Sequence, residues 1–303
     1  MKVTLVHNPV AGSKDQPSAD ELTALIRSAG HDVAYHAYKD QTWVEALSDP
    51  GDLVAIAGGD GTSARVAKRL IDRGVPLTFL PLGTANNISK TLGLAHMTPR
   101  DLIAGWRRAR RSKLDIGIFE SPWGTRYFVE GAGLGLFVRT MIEIDAADAL
   151  DHLETGAEKV AHALHLLGER LPGFPARRLA LELDGQDLSG DYLMVEAMNM
   201  QFVGPNLHLV PNCDPTDGEL DVVLVQESER EELQRYLTSS PRERVAPPQL
   251  TIRRGKHLQI AWQGEMMHVD DRAWPTGKVD EAATHTIHLR AKSEALDVLL
   301  PGS

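Results

Sequence analysis

Ala57-Gly58-Gly59-Asp60-Gly61-Thr62 packs three glycines, a carboxylate and a hydroxyl into six residues. Glycines let backbone N–H groups come close to phosphate oxygens with no Cβ in the way. A carboxylate in the same turn does not attract phosphate. Asp60 makes physical sense there with a Mg²⁺ between it and the phosphates. The chemistry implied is metal-assisted phosphate handling. The spacing matches neither GxGxxG nor GxxxxGK[ST]. Glycine and aspartate are also common in ordinary βα turns, so neighbouring segments must decide.

Two of them repeat the arrangement. Asn8-Pro9-Val10-Ala11-Gly12-Ser13-Lys14 breaks the apolar run Lys2–His7, with Asn8, Ser13 and Lys14 supplying hydrogen-bond donors. Leu82-Gly83-Thr84-Ala85-Asn86-Asn87 follows the run 75–81 in the same way. Ligands of open parallel sheets collect beyond the carboxyl ends of the strands. Three polar, glycine-containing loops at three such ends imply one shared site.

The elements that must position these loops can be read from periodicity. Residues 52–56 form a buried strand, and 63–71 place apolar residues at helical spacing. A helix capped near Ser18 carries Leu22, Leu25 and Ile26 inward, and another spans 88–92. Alternating strands and helices up to about residue 120 predict a parallel sheet with helices on both faces. Beyond it, short alternating runs at 126–130, 178–183, 192–199, 219–226, 250–253 and 257–262 predict a mostly antiparallel sandwich. One helix, 157–170, interrupts them, and 227–248 read as a helix followed by a loop. The expected organisation is an α/β domain over 1–120 and a β-sandwich domain over 121–303, with the last strand a candidate to return to the first.

The 303 residues carry a net charge of −10, which argues against nucleic acid as a partner. Arg100 to Lys113 is a local exception that reads as a solvated helix face, with docking to lipid headgroups the alternative. Cys213 stands alone, so no internal disulfide forms, and the twelve histidines show no zinc spacing. No apolar stretch approaches the ~20 residues of a membrane span. With no signal-like segment read at the amino terminus, the expectation is a cytoplasmic protein, at most peripheral to a membrane.

Taken together, Asn8-Pro9-x-x-Gly12, Gly58-Gly59-Asp60-Gly61-Thr62 and Pro81-Leu82-Gly83-Thr84-Ala85-Asn86-Asn87 resemble the diacylglycerol kinase catalytic-domain superfamily, and among it the bacterial soluble lipid kinases similar to sphingosine and ceramide kinases. Leu114-Asp115-Ile116-Gly117, Phe128 to Gly135 and Pro211-x5-Asp217-Gly218-Glu219-Leu220-Asp221 extend the resemblance to about residue 222. It implies an amino-terminal fold like that of NAD kinase and phosphofructokinase, and ATP over the three loops. It further implies Mg²⁺ near Asp60 and Asp115, a structural Mg²⁺ at the Asp217 turn, and a lipid acceptor met transiently at a membrane surface. The cofactor-binding set is Asn8, Pro9, Gly12, Ser13, Lys14, Gly58, Gly59, Asp60, Gly61, Thr62, Gly83, Thr84 and Asn86.

The resemblance also implies a late Asp-Gly-Glu triplet whose Asp acts as base. Asp270-Asp271-Arg272 keeps the Asp and replaces the Glu by Arg, whereas Gln263-Gly264-Glu265 keeps the Glu and loses the base. Asp270 is preferred, because a hydroxyl proton needs an acceptor. Asp184-Gly185-Gln186 is rejected as a hairpin turn. The catalytic set is then Asp270, Asp60 and Asp115. Three functions stay open: an ATP-dependent lipid kinase, a kinase for a soluble acceptor such as NAD, and a nucleotide- or lipid-binding regulator that Arg272 has cost its catalysis.

Overall fold

The computed structural model describes residues 1–12, 16–150, 153–239, 246–276 and 285–302. The chain divides into two compact units: Met1–Asp115 with Glu294–Ser303, and Ile116–Ser293.

The first unit is built on four parallel strands, β1 (Lys2–His7), β2 (Asp32–Ala37), β3 (Leu53–Gly58) and β4 (Pro76–Pro81). β1 pairs with both β2 and β3, and β3 with β4, giving the order β2-β1-β3-β4. Beyond β4 the sheet continues with the end of the strand His285–Leu300, which runs parallel to it through Asp297 and Val298. β3 is buried along its whole length, as a central parallel strand covered on both faces must be. Helix α1 (Ala19–Ser28) starts at a reciprocal capping box between Ser18 and Glu21 and buries Leu22 and Ile26. Helices α2 (Thr42–Ala46), α3 (Asp60–Ala67), α4 (Asn87–Thr91) and α5 (Pro99–Gly105) follow. Arg110–Ser121 is a strand, so the basic stretch is not one helix face: it is helical through Pro99–Gly105 and extended from Arg110.

The second unit is mostly antiparallel. Its strands run in the order Arg272–Trp274, Met267–Val269, Gly131–Gly135, Gly190–Met198, Arg177–Leu183, His257–Trp262 and the first part of His285–Leu300. Leu220–Gln226 joins Gly190–Met198 to Ile252–Gly255. Strand pleating sends alternate residues to two cores. Leu220, Val222 and Leu224 enter a core between strands, while Val223 and Val225 face helices Leu136–Ala146, Gly156–Arg170 and Arg230–Thr238. A bulge between Tyr192 and Met194 lets Leu193 and Met194 both face the helices, before Val195 and Ala197 return to the other side. Periodicity had not indicated the helix Leu136–Ala146, which begins directly after the glycine-rich strand Gly131–Gly135.

Candidate active site

In the first unit the three loops converge because glycines allow it. A Cβ on Gly83 would lie 2.2 Å from Gly59 Cα, and one on Gly12, at φ +73, would strike the Leu82 carbonyl. Each loop therefore touches another where a side chain would hold them apart. Hydrogen bonds complete the joints. Asn8 N–H donates to the Ala57 carbonyl at 2.8 Å, and Asn8 Nδ2 to Thr62 Oγ1 at 3.0 Å. Leu82 N–H reaches the Gly58 carbonyl at 3.0 Å. Asn86, left-handed at φ +53, both accepts from Gly83 N–H and donates to the Gly83 carbonyl at 2.9 Å. Pro9, Gly61 and Thr84 lie within these same loops, Thr84 exposed; Ser13 and Lys14 fall outside the described residues.

Asp60 is the first residue of α3 and is half-buried. Its Oδ1 accepts the Ile88 N–H at 3.0 Å, which ties the second loop to the start of α4. Burial pushes its carboxyl up, against the backbone N–H bonds and the Lys90 charge that favour the ionised form. Lys90, half-buried one turn into α4, is pushed down by its own burial and pulled back by Asp60. An anion beside this pair would relieve the lysine, and a cation would relieve the carboxylate. Phosphates with a divalent metal supply both. Sequence reasoning passed over Lys90. The signal was its place four residues after Asn86, on the helix that the third loop opens.

In the second unit, Asp270 and Asp271 form the two-residue tip between strands Met267–Val269 and Arg272–Trp274. Asp270 is left-handed at φ +52 and 4 % exposed. Its Oδ1 accepts N–H bonds from Val129 and Glu130, both at 2.9 Å, and its own N–H donates to the Gly131 carbonyl at 2.9 Å. The carboxylate is thus held by two successive backbone N–H groups, and the main chain of the turn by a third bond. Arg272 is exposed at the start of its strand.

Residues 2–119 match the diacylglycerol kinase catalytic domain. Residues 137–297, more than half of the chain, match the YegS C-terminal NAD kinase beta sandwich-like domain. The chain belongs to the family that carries this YegS-type C-terminal domain, here following a diacylglycerol kinase catalytic domain. A diacylglycerol kinase of Mycobacterium tuberculosis is 24% identical over 314 residues, covering 99% of this chain and 95% of its own. One from Bacillus subtilis is 25% identical, covering 80% of this chain and 79% of its own. A crystal structure of a diacylglycerol kinase from Bacillus anthracis shares the fold at a TM-score of 0.67 and 18% identity, over 99% of this chain and 96% of that one.

Within this family frame, the remaining acidic positions differ in what they touch. Asp115 is 1 % exposed, and its Oδ1 accepts the N–H of Glu294 at 2.8 Å, a bond inside the first unit. Asp217 is exposed; its Oδ1 accepts the Glu219 N–H at 3.0 Å while Oδ2 lies 3.5 Å from the Arg254 guanidinium. The same guanidinium bonds Asp221 at 3.2 Å. One arginine stands here against three carboxylates, Asp217, Glu219 and Asp221, so it offsets only part of the negative charge of this turn. Among the described residues, no three His, Cys, Asp or Glu side chains are placed to cage a metal. Mg²⁺ ordinarily takes one or two carboxylates and completes its shell with phosphates and water, a requirement that Asp60 beside the glycine loops fits. Among the described residues, no helix is long and apolar enough to cross a membrane.

Proposed function

We propose that the chain is an ATP-dependent lipid kinase that transfers the γ-phosphate to a hydroxyl of a diacylglycerol-like or sphingoid acceptor. The observation that carries this reading is the contact of three glycine loops around Asp60 and Lys90, in a chain of this family. Backbone N–H groups of the loops, with Lys90, would hold the phosphates. Mg²⁺, bound by Asp60 with Asp115 a further candidate, would neutralise charge on the β- and γ-phosphates. The acceptor oxygen forms its bond to the γ-phosphorus as the bond to the β–γ bridging oxygen breaks. Asp270 takes the hydroxyl proton, and ADP leaves. The acceptor would be met at a membrane surface by a protein that binds there only transiently, consistent with a cytoplasmic location.

The test is transfer of labelled γ-phosphate to a panel of lipids in mixed micelles with Mg²⁺, with NAD as a soluble acceptor and Asp270→Asn in parallel. Labelled lipid that falls by ~10²–10⁴-fold in Asp270→Asn supports the kinase and its base together. Labelled NAD alone would move the acceptor to the soluble class. ATP binding without any product would favour the regulator, with Arg272 its first suspect.

A further inference from the structure

Glu196 and His268 are fully buried, and the transfer just described uses neither. They share one row across three neighbouring strands, where Glu196 and His268 both stand opposite Gly133. Adjacent strands are ~4.8 Å apart, so the two outer backbones lie roughly 9.6 Å from each other. The middle position must be empty for their side chains to meet. A Cβ on Gly133 would fall 2.2 Å from Glu196 Oε2. Across the gap, His268 Nε2 and Glu196 Oε2 are 2.6 Å apart. Phe137, from the helix Leu136–Ala146, closes the other side, its ring perpendicular to the imidazole at 4.8 Å.

The second imidazole nitrogen identifies what the pair serves. His268 Nδ1 lies 2.9 Å from the Asp270 carbonyl oxygen. A carbonyl only accepts, so Nδ1 carries a proton. One further proton must then lie between Nε2 and Oε2. Imidazolium with carboxylate, and imidazole with carboxylic acid, are two drawings of the same proton count. The carboxylates acting on His268 are Glu196 from two strands away, across Gly133, and Asp270 from its own hairpin; the helix offers Phe137. The Asp270 main chain is therefore held at its left-handed turn by a buried side-chain donor, and its carboxylate is aimed by that turn.

We propose that Glu196 and His268 are positioning residues: a buried pair with one shared proton that locks the Asp270 turn and so aims its carboxylate. The catalytic half of this inference rests on the reading of Asp270 as base.

The two ring nitrogens can be tested separately. His268→Asn places an amide donor near Nδ1, keeping the bond to the Asp270 carbonyl and losing Glu196. His268→Gln places it near Nε2, keeping Glu196 and losing Asp270. The first readout needs no activity: hydrogen exchange at the Val129 and Glu130 amides, whose acceptor is the Asp270 carboxylate. Positioning predicts faster exchange by ~10-fold or more in His268→Gln and near-wild-type protection in His268→Asn, a loss of local opening free energy. The second readout is turnover. His268→Gln should lower kcat by ~10–100-fold, as loss of a supporting hydrogen bond commonly does, with KM for ATP little changed and His268→Asn partly restored. Equal exchange in both variants and the wild type would overturn the proposal, as would equal loss in both, which marks general loosening of the core. If Asp270→Asn keeps full turnover, the base assignment and the catalytic half fall, while the exchange arm still decides what holds the turn.

Discussion

Lys90 sits half-buried against Asp60, where its charge is worth more to a phosphate than an exposed lysine would be. Lys90→Met should weaken a non-hydrolysable ATP analogue by roughly 10- to 100-fold, the worth of one hydrogen bond to a charged group, as measured by calorimetric titration. Unchanged affinity would leave Lys90 as a counter-charge for Asp60 alone. The Glu196–His268 pair makes a prediction about stability. Burial alone would lower the His268 pKa, but Glu196 and the hydrogen bonds outweigh it and hold the imidazole above its ordinary value. Burial pushes the Glu196 carboxyl up as well. A histidine raised on folding contributes stability below its ordinary value and loses it as pH rises through the folded value. Denaturant midpoints should therefore fall as pH is raised above neutrality, and Glu196→Gln should flatten that slope. A slope that is the same in both would mean the pair releases no proton in this window.

Secondary elements show where reading residues succeeds and where it stops. Strands β1 and His257–Trp262 end where their apolar periodicity ends, and the Ser18 cap is visible as Ser-x-x-Glu. Asp184 and Gly185, both at positive φ, form the tight turn that their types imply. The basic stretch failed as a helix because its partner is remote in sequence. Arg111 and Lys113 alternate on a strand, and both meet the carboxylate of Asp297 from the end of the chain. Burial would raise the Asp297 pKa, yet those two cations and their hydrogen bonds hold it below the ordinary value. No local pattern announces such a pair. The loop contacts were legible only as shared glycine content; their cause is visible in the geometry. Gly83→Ala would press a methyl into Gly59 and force the second and third loops apart. It should cost about 1–3 kcal/mol of stability, in the range for overpacking, and lower ATP affinity at least ~10-fold. Thermal unfolding and titration with the same ATP analogue measure the two effects. An alanine variant that binds normally would show that the loops need not touch to hold phosphate.

At the scale of the molecule, the chain finishes its first unit last. Residues 294–302 pair beside β4 only after all of the second unit has been synthesised. The sequence offered the last strand as a candidate to return, but periodicity cannot say which sheet a strand joins, because an apolar segment fits either. Register decides. Asp72 N–H donates to the Ala295 carbonyl at 2.9 Å, and Ala295, Leu296, Val298 and Leu300 are all buried. Full burial of a Val or Leu side chain is worth about 1.5–3 kcal/mol. Losing two leucines and a valine thus removes roughly 5–9 kcal/mol, which rivals the whole stability of a typical domain. The loss also bares β4 as a long apolar edge open to other chains. A chain ending at Ser293 should therefore fail to form the first unit, giving aggregation, reduced circular dichroism and no ATP-analogue binding. Supplying the missing strand as a separate peptide should restore little, because closing the sheet from solution adds an association cost that the intact chain avoids. A soluble, nucleotide-binding chain ending at Ser293 would show instead that β1 to β4 are a sufficient scaffold for the phosphate loops, and that the returning strand only seals their edge.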